Sequence, residues 1–226
     1  MSLTLAQFRV RIAQALADTG NTNYSTGLLD ESLRTALHEY SQAYPLTQDT
    51  VITLPGDGRE IDLDEVTGLL NVTQVWWPYD SDSEAVETWP PNQITGFRLT
   101  WSDARPVLFL SSAGQAQPKT DDELRLWYTT LHTVQNLDSG EITSVSADHE
   151  SNLVQGAAAL AALSRALDRA EEFNLDPKTP ITLLDWGNAR RKEFLAWLDT
   201  LRTRSSRSAP PWANKGWSMD KWDTNT

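Results

Sequence analysis

Hydrophobic and polar positions alternate along this chain with two different periods. From Tyr24 to Pro45 the period is helical. Leu29, Leu33, Ala36, Leu37 and Tyr40 recur three and four apart, which puts them on one face, while Asp30, Glu31, Arg34, His38 and Glu39 fall largely on the other. Ser25 or Thr26 can cap the start of this helix, and Pro45 ends it by forcing the preceding residue out of the α region. An earlier helix is predicted over Thr4–Asp18. It has Thr4 and Gln7 as a capping box, Leu5, Phe8, Ile12 and Leu16 as its apolar stripe, and Gly20 as its end signal. The short Asn21–Asn23 connection makes these two helices a hairpin.

After Pro45 the period shortens to two. Thr50–Leu54 and Arg59–Leu63 flank Pro55-Gly56-Asp57-Gly58, which predicts a β-hairpin. Leu69–Trp77 reads as a strand ended by Pro78, and Phe97–Trp101 pairs with Val107–Leu110. Glu123–Leu131 is the clearest strand, with Leu124, Leu126 and Tyr128 facing opposite to Arg125, Trp127 and Thr129. Helical spacing returns after a turn-rich loop. A third helix runs from a cap at Ser146 or Asp148 to about Phe173, and a fourth from Thr182 to Arg204. The small residues Gly156 and Ala157, beside Leu160, let another helix backbone approach closely, so the third helix is expected to be the most buried. The fold class expected is α+β. A four-helix bundle (1–48 and 146–204) carries an antiparallel sandwich or barrel-like insertion (49–145), and an extended C-terminal arm follows (205–226).

The arm is unusual in composition. Trp212, Trp217 and Trp222 recur every five residues in a segment of Ser, Pro, Asn and Gly that cannot bury a core of its own. Residues 202–226 hold Arg202, Arg204, Arg207, Lys215 and Lys221 against Asp220 and Asp223, so this stretch is +3 while the rest of the chain is −15, for a total of −12. An acidic body of this kind argues against a general nucleic-acid-binding surface. A basic, tryptophan-containing arm suits docking on a partner.

Candidate chemistry is sparse. There is no cysteine, hence no disulfide and no thiolate metal site. The N-terminus reads as a helix start rather than a signal peptide, and the Gly156–Leu163 apolar run is too short to cross a membrane. His38, His132 and His149 are far apart and are expected at the surface or in caps. Asp80, Asp82 and Glu84 imitate the start of a calcium loop, but Ala85 and Pro91 stand where glycine and a bidentate glutamate are needed. Glu60, Asp62 and Asp64 line one face of a strand, as an acidic outer face or the wall of a pore. Trp76-Trp77-Pro78-Tyr79 and Trp127-Tyr128 fit a β core or a subunit contact better than an open platform for sugars. No cofactor and no catalytic motif is expected.

Three stretches together resemble the head-to-tail adaptor proteins of tailed bacteriophages. They are Leu29-Asp30-Glu31-Ser32-Leu33-Arg34-Thr35-Ala36-Leu37-His38-Glu39-Tyr40, then Leu124–Thr130 leading through His132-Thr133 to Leu137-Asp138, then Gly156–Ala166. The family pattern is richer in glycine around Asn136–Gly140. The resemblance implies a helical bundle with a β insertion, in a ring of twelve copies below the portal. It also implies contacts with portal and with tail or neck proteins, and DNA passing through the lumen without specific binding. The location implied is the virion neck, with assembly in the host cytoplasm and no membrane. It further implies that the arm, through Arg202, Arg204, Arg207, Trp212, Trp217 and Trp222, grips the portal or a neighbouring subunit. The other readings from the residues are a carbohydrate- or protein-binding module built on the tryptophans of the β insertion and a metal-assisted hydrolase using the acidic row Glu60, Asp62 and Asp64.

Overall fold

The computed structural model describes residues 2–81, 93–94, 96–111, 117–170 and 178–208. The chain forms two units, Met1–Tyr44 with Thr133–Thr226 and Pro45–His132. The second unit thus begins four residues before the expected 49 and ends well before 145. Two contacts draw 133–146 to the helices. Leu5 N–H donates to the Gln135 carbonyl at 3.1 Å, and the Thr143 hydroxyl donates to the Leu3 carbonyl at 2.6 Å.

The first unit is built from α1 (Leu5–Ala15), α2 (Thr26–Ala43), α3 (Ala147–Ala170) and α4 (Lys178–Ser208). Thr4 and Gln7 close a capping box on α1, and Ser25 caps α2. Helix α1 ends earlier than Gly20. Ala17 takes the left-handed conformation at φ 55°, with Ala17 N–H bonded to the Gln14 carbonyl and Asp18 N–H to the Ala13 carbonyl. This is a Schellman ending with alanine where glycine is usual. It aims the buried Asp18 carboxylate at the start of the next turn. There it accepts from Thr22 N–H (3.1 Å) and hydroxyl (2.7 Å), Asn23 N–H (2.9 Å) and Tyr24 N–H (2.9 Å). The Thr22 hydroxyl and these backbone donors hold its pKa down at about 2.

Helix α3 is the hub and touches the other three helices. Ala157, Ala158, Ala159, Ala161 and Ala162 are all fully buried along it. Helix α4 packs antiparallel to it through reciprocal notches. A Cβ added at Gly156 would lie 2.6–2.8 Å from the Phe194 ring, and one added at Gly187 would lie 2.9 Å from the Leu163 side chain. Each helix therefore offers a gap that the other fills. Along α4 the inward positions Gly187, Arg191, Phe194, Leu198 and Leu201 follow the alternating three-four spacing of a packing seam. The helix is longer than its apolar pattern suggests. Pro180 sits in its first turn, where proline costs no hydrogen bond, and helical backbone continues to Ser208, so the expected arm at 205 starts inside the helix.

The second unit holds two three-stranded antiparallel sheets, ordered β1-β6-β3 and β2-β5-β4. The strands are β1 (Leu46–Thr53), β2 (Glu60–Asp62), β3 (Asn71–Tyr79), β4 (Phe97–Ser102), β5 (Arg105–Leu110) and β6 (Glu123–Thr130). Val75, Leu108, Leu124 and Leu126 from both sheets meet in one core with Leu54 and Leu63, which follow β1 and β2. The mixed α+β class expected is thus present, with the insertion built as two small antiparallel sheets. The Pro55–Gly58 hairpin is corrected, since β1 pairs with β6 and β2 with β5. A type I′ turn on Asp57-Gly58 needs positive φ at both residues, and only Gly58 has one, at 146°. The segment bonds to the lead-in of β6 instead. Asp57 Oδ1 accepts from Thr120 N–H at 2.7 Å, Gly58 N–H donates to the Pro118 carbonyl at 3.0 Å, and Leu54 N–H to the Asp122 carbonyl at 2.9 Å. The primed turn lies between β4 and β5, on Asp103 (φ 49°) and Ala104 (φ 64°). Pro78 does not end β3. It lies inside the strand at a sheet edge, within a bulge between Trp76 and Tyr79, where a missing N–H leaves no ladder bond unmade.

Gly156→Ala is expected to lower stability by about 1–2 kcal/mol in urea denaturation, because overpacking costs about 1–3 kcal/mol against a helix-propensity gain of about 1. In a Phe194→Ala background, where the ring is gone, the same substitution is expected to stabilise. A destabilisation of equal size in both backgrounds would refute the notch. The Asp18 carboxylate sets a second expectation. Its folded pKa lies below the unfolded value, so its contribution is complete above about pH 4 and fades as the pH falls toward 2. The stability difference between wild type and Asp18→Asn should be constant from pH 7 to 5 and shrink toward pH 2. A gap that stays flat down to pH 2 contradicts this.

Candidate functional site

The stretches singled out in the sequence are brought together by contacts that fix structure. Arg34 on α2 reaches across to Asp138, with Nε to Oδ2 at 2.6 Å and Nη2 to Oδ1 at 2.7 Å, and also pairs with Glu31. The guanidinium holds the Asp138 carboxyl below its usual range. Two of the three stretches are thus clamped by one bidentate ion pair. Three residues of the loop that carries Asp138 take the left-handed backbone conformation. Asn136, Asp138 and Ser139 have φ of 69°, 48° and 66°. Asparagine and aspartate tolerate this conformation better than most residues. Gly140 is required by space, since a Cβ there would lie 2.5 Å from the Val134 carbonyl oxygen.

A second cluster joins α2, α3 and α4. The buried Tyr40 ring stacks on Trp197 with centroids 5.8 Å apart and planes 3° apart, and its hydroxyl lies 2.8 Å from His149 Nδ1. His149 also stands edge-on to Tyr44 and Trp197. Burial pushes its pKa down, opposed by Asp148 and aided by Arg204. Arg191 pairs with Glu39 beside this cluster and lies over the Phe194 ring. His149 is therefore a packed residue, not the surface or cap residue expected, and His132 is buried. His38 is exposed, beside Gln42.

The tryptophans of the β unit divide by position. Trp77 is buried, whereas Trp76 and Trp127 are half-buried on the outer face of the first sheet, with centroids 4.5 Å apart. Arg125 covers the Trp127 ring at 4.8 Å and the Tyr79 ring at 5.5 Å, and donates to Asp49 Oδ2 from Nε (3.0 Å) and Nη2 (2.7 Å). The face of Trp127 is thus occupied by the protein's own cation, which leaves no flat aromatic platform there. Among the described tryptophans of this unit, Trp101 is the open one, 57% exposed.

Glu60 and Asp62 are exposed on β2, while Asp64 lies beyond the strand and pairs with Arg105 at 3.3 Å. The three do not form one row, because β2 ends at Asp62. Among the described residues no group of His or carboxylates is placed to hold a metal ion. No helix among them is long and apolar enough to cross a membrane. Gly156 faces Phe194, Ala157 is fully buried and Leu160 packs against the same core. Arg202 and Arg204 are exposed near the end of α4, with Arg202 paired to Asp199 at 3.0 Å. The Arg207 side chain, Trp212, Trp217 and Trp222 lie outside the described residues, as do Asp82 and Glu84. The Arg34–Asp138 clamp had no sequence signal, since opposite charges 104 positions apart are not distinguishable from any other pair.

No known protein family matches the chain by sequence, and no curated protein does. Among solved structures, the chain is similar to one described as "Neck of empty GTA particle computed with C6 symmetry". The identity is 16% and the TM-score 0.31, over 81% of this chain and 88% of the other.

Arg125→Ala removes the Asp49 bonds and uncovers Trp127, and is expected to cost about 1–2 kcal/mol. Arg125→Lys, which keeps charge but loses the planar fork, should recover less than half of that. Full recovery by lysine in thermal or urea denaturation would show that charge alone matters.

Proposed function

We propose that this protein is a structural head-to-tail connector of a tailed phage, a neck component without catalytic activity. In this reading it forms a ring of twelve copies below the portal, joins capsid to tail, and lets DNA pass. Its place is the virion neck after assembly in the host cytoplasm, and its partners are the portal ring and tail or neck proteins.

The observation that supports this most is how the three adaptor-like stretches are used. Their residues serve packing and clamping. Arg34 ties the first stretch to the second, and Leu29, Leu33 and Ala36 share one core with Ala157, Ala158 and Ala161 of the third. A resemblance carried by framework positions suits a scaffold. Charge agrees with that reading. A body of −15 repels phosphates, so a lumen made from it would hold DNA weakly. The arm supplies the opposite property, basic and rich in tryptophan, as an anchor that orders on docking.

Co-sedimentation with the cognate portal ring tests this, using the full chain and a version ending at Ser208. Full-length protein is expected to sediment with the portal and the truncated one is not. If both bind, the anchor lies in the folded body. If neither binds, the connector reading fails.

A further inference from the structure

The outer face of the second sheet carries its chemistry in stripes. Strand β2 presents Glu60 and Asp62, β5 presents Phe109 and Val107, and β4 presents Arg98 and Thr100. The register sets Glu60, Phe109 and Arg98 in one row and Asp62, Val107 and Thr100 in the next. Directly opposed residues point to the same side of a sheet. The alternate positions Ile61 and Leu108 are buried in the core, which fixes the striped side as the outer one. Phe109 is 39% exposed, and Glu60, Asp62 and Arg98 are exposed. Among the described residues none of these three charges takes part in an ion pair; Asp62 accepts only the Asp64 N–H, at 2.9 Å. The face thus runs acidic, apolar, basic across three strands.

Such a face complements itself in one orientation. A two-fold axis parallel to the strands, passing above Phe109, reverses strand order and keeps each row level. Glu60 of one copy then lies over Arg98 of the second, Arg98 over Glu60, and Phe109 over Phe109. A two-fold axis across the strands would instead stack the acidic stripe on itself, which like charges oppose. We propose that the outer face of the β2-β5-β4 sheet docks a second copy of this chain in this two-fold arrangement. The contact is isologous and therefore differs from the head-to-tail contacts that close a ring. It does not depend on the connector reading. The face is small, so the dimer is a weak one, with a dissociation constant of roughly 10 μM to 1 mM.

Sedimentation equilibrium of the full chain tests this, from about 10 μM to about 1 mM and at about 0.15 M salt, where charges beyond about 8 Å are screened. Wild type is expected to form a dimer. Arg98→Glu and Glu60→Arg should each weaken it by about tenfold or more, because each sets like charges opposite one another. The double variant should dimerise again. So should an equimolar mixture of the two single variants, which also shows that both are folded. The chain has no cysteine, so Phe109→Cys at the axis should give a single covalent dimer on oxidation. A wild type that stays monomeric throughout overturns the proposal. So does association that the single swaps leave unchanged, or a mixture that fails to recover it.

Discussion

The reciprocal notch between α3 and α4 is the constraint on which the helical unit rests. Gly156 admits the Phe194 ring and Gly187 admits Leu163, so the two helices meet at backbone distance in a fixed register. That register sets what lies further along. It carries Trp197 to the Tyr40 ring, brings Arg191 to Glu39, and seals Leu198 and Leu201 into the core shared with α1 and α2. Shape complementarity, not charge, does the positioning, because dense packing makes a helix slide in whole steps or not at all.

The polar clamps act on a different scale. Asp18, Asp138 and Asp57 are each held in the charged form by specific donors. Asp18 and Asp57 accept from backbone N–H groups at turns, and Asp138 accepts from the Arg34 guanidinium. The Asp18 carboxylate closes the α1–α2 turn and Asp138 anchors the loop before α3. Asp57 fastens the β1–β2 connection to Thr120. Carboxylates in this chain thus shape loops, and the strongly acidic composition is in part a structural device.

Much of the architecture could be read from periodicity, because caps and amphipathic stripes are local. Thr4, Ser25, the α2 stripe and the alternation in β6 belong to that class. The errors arose where a local signal competed with a distant partner. Asp57-Gly58 looks like a hairpin turn, yet the hydrogen bonds on offer from Pro118–Asp122 were better, and the flanking strands went to different sheets. The turn that is primed uses Asp103-Ala104, a pair with weak turn preference that two matched strands impose. Ala17 does at the end of α1 what Gly20 was expected to do, because Asp18 is needed one residue later as the acceptor for the next turn. Of the candidate sites, small residues at 156–157 were legible from composition. The stripes on the second sheet were not, because they depend on which strands become neighbours.

The order of the two units along the chain has a consequence for synthesis. The β unit is continuous from Pro45 to His132, whereas the helical unit is interrupted by it. The chain leaves α2 and returns toward α3 at one place, since Leu46 and Thr130 are paired residues on adjacent strands. During translation the β unit is complete before α3 has been made. Until then α1 and α2 wait with Phe8, Ile12, Leu29 and Leu33 unburied, because the helix that covers them is about a hundred residues downstream. The interval between completion of the β unit and synthesis of α3 is therefore one in which the apolar faces of α1 and α2 lack their main cover.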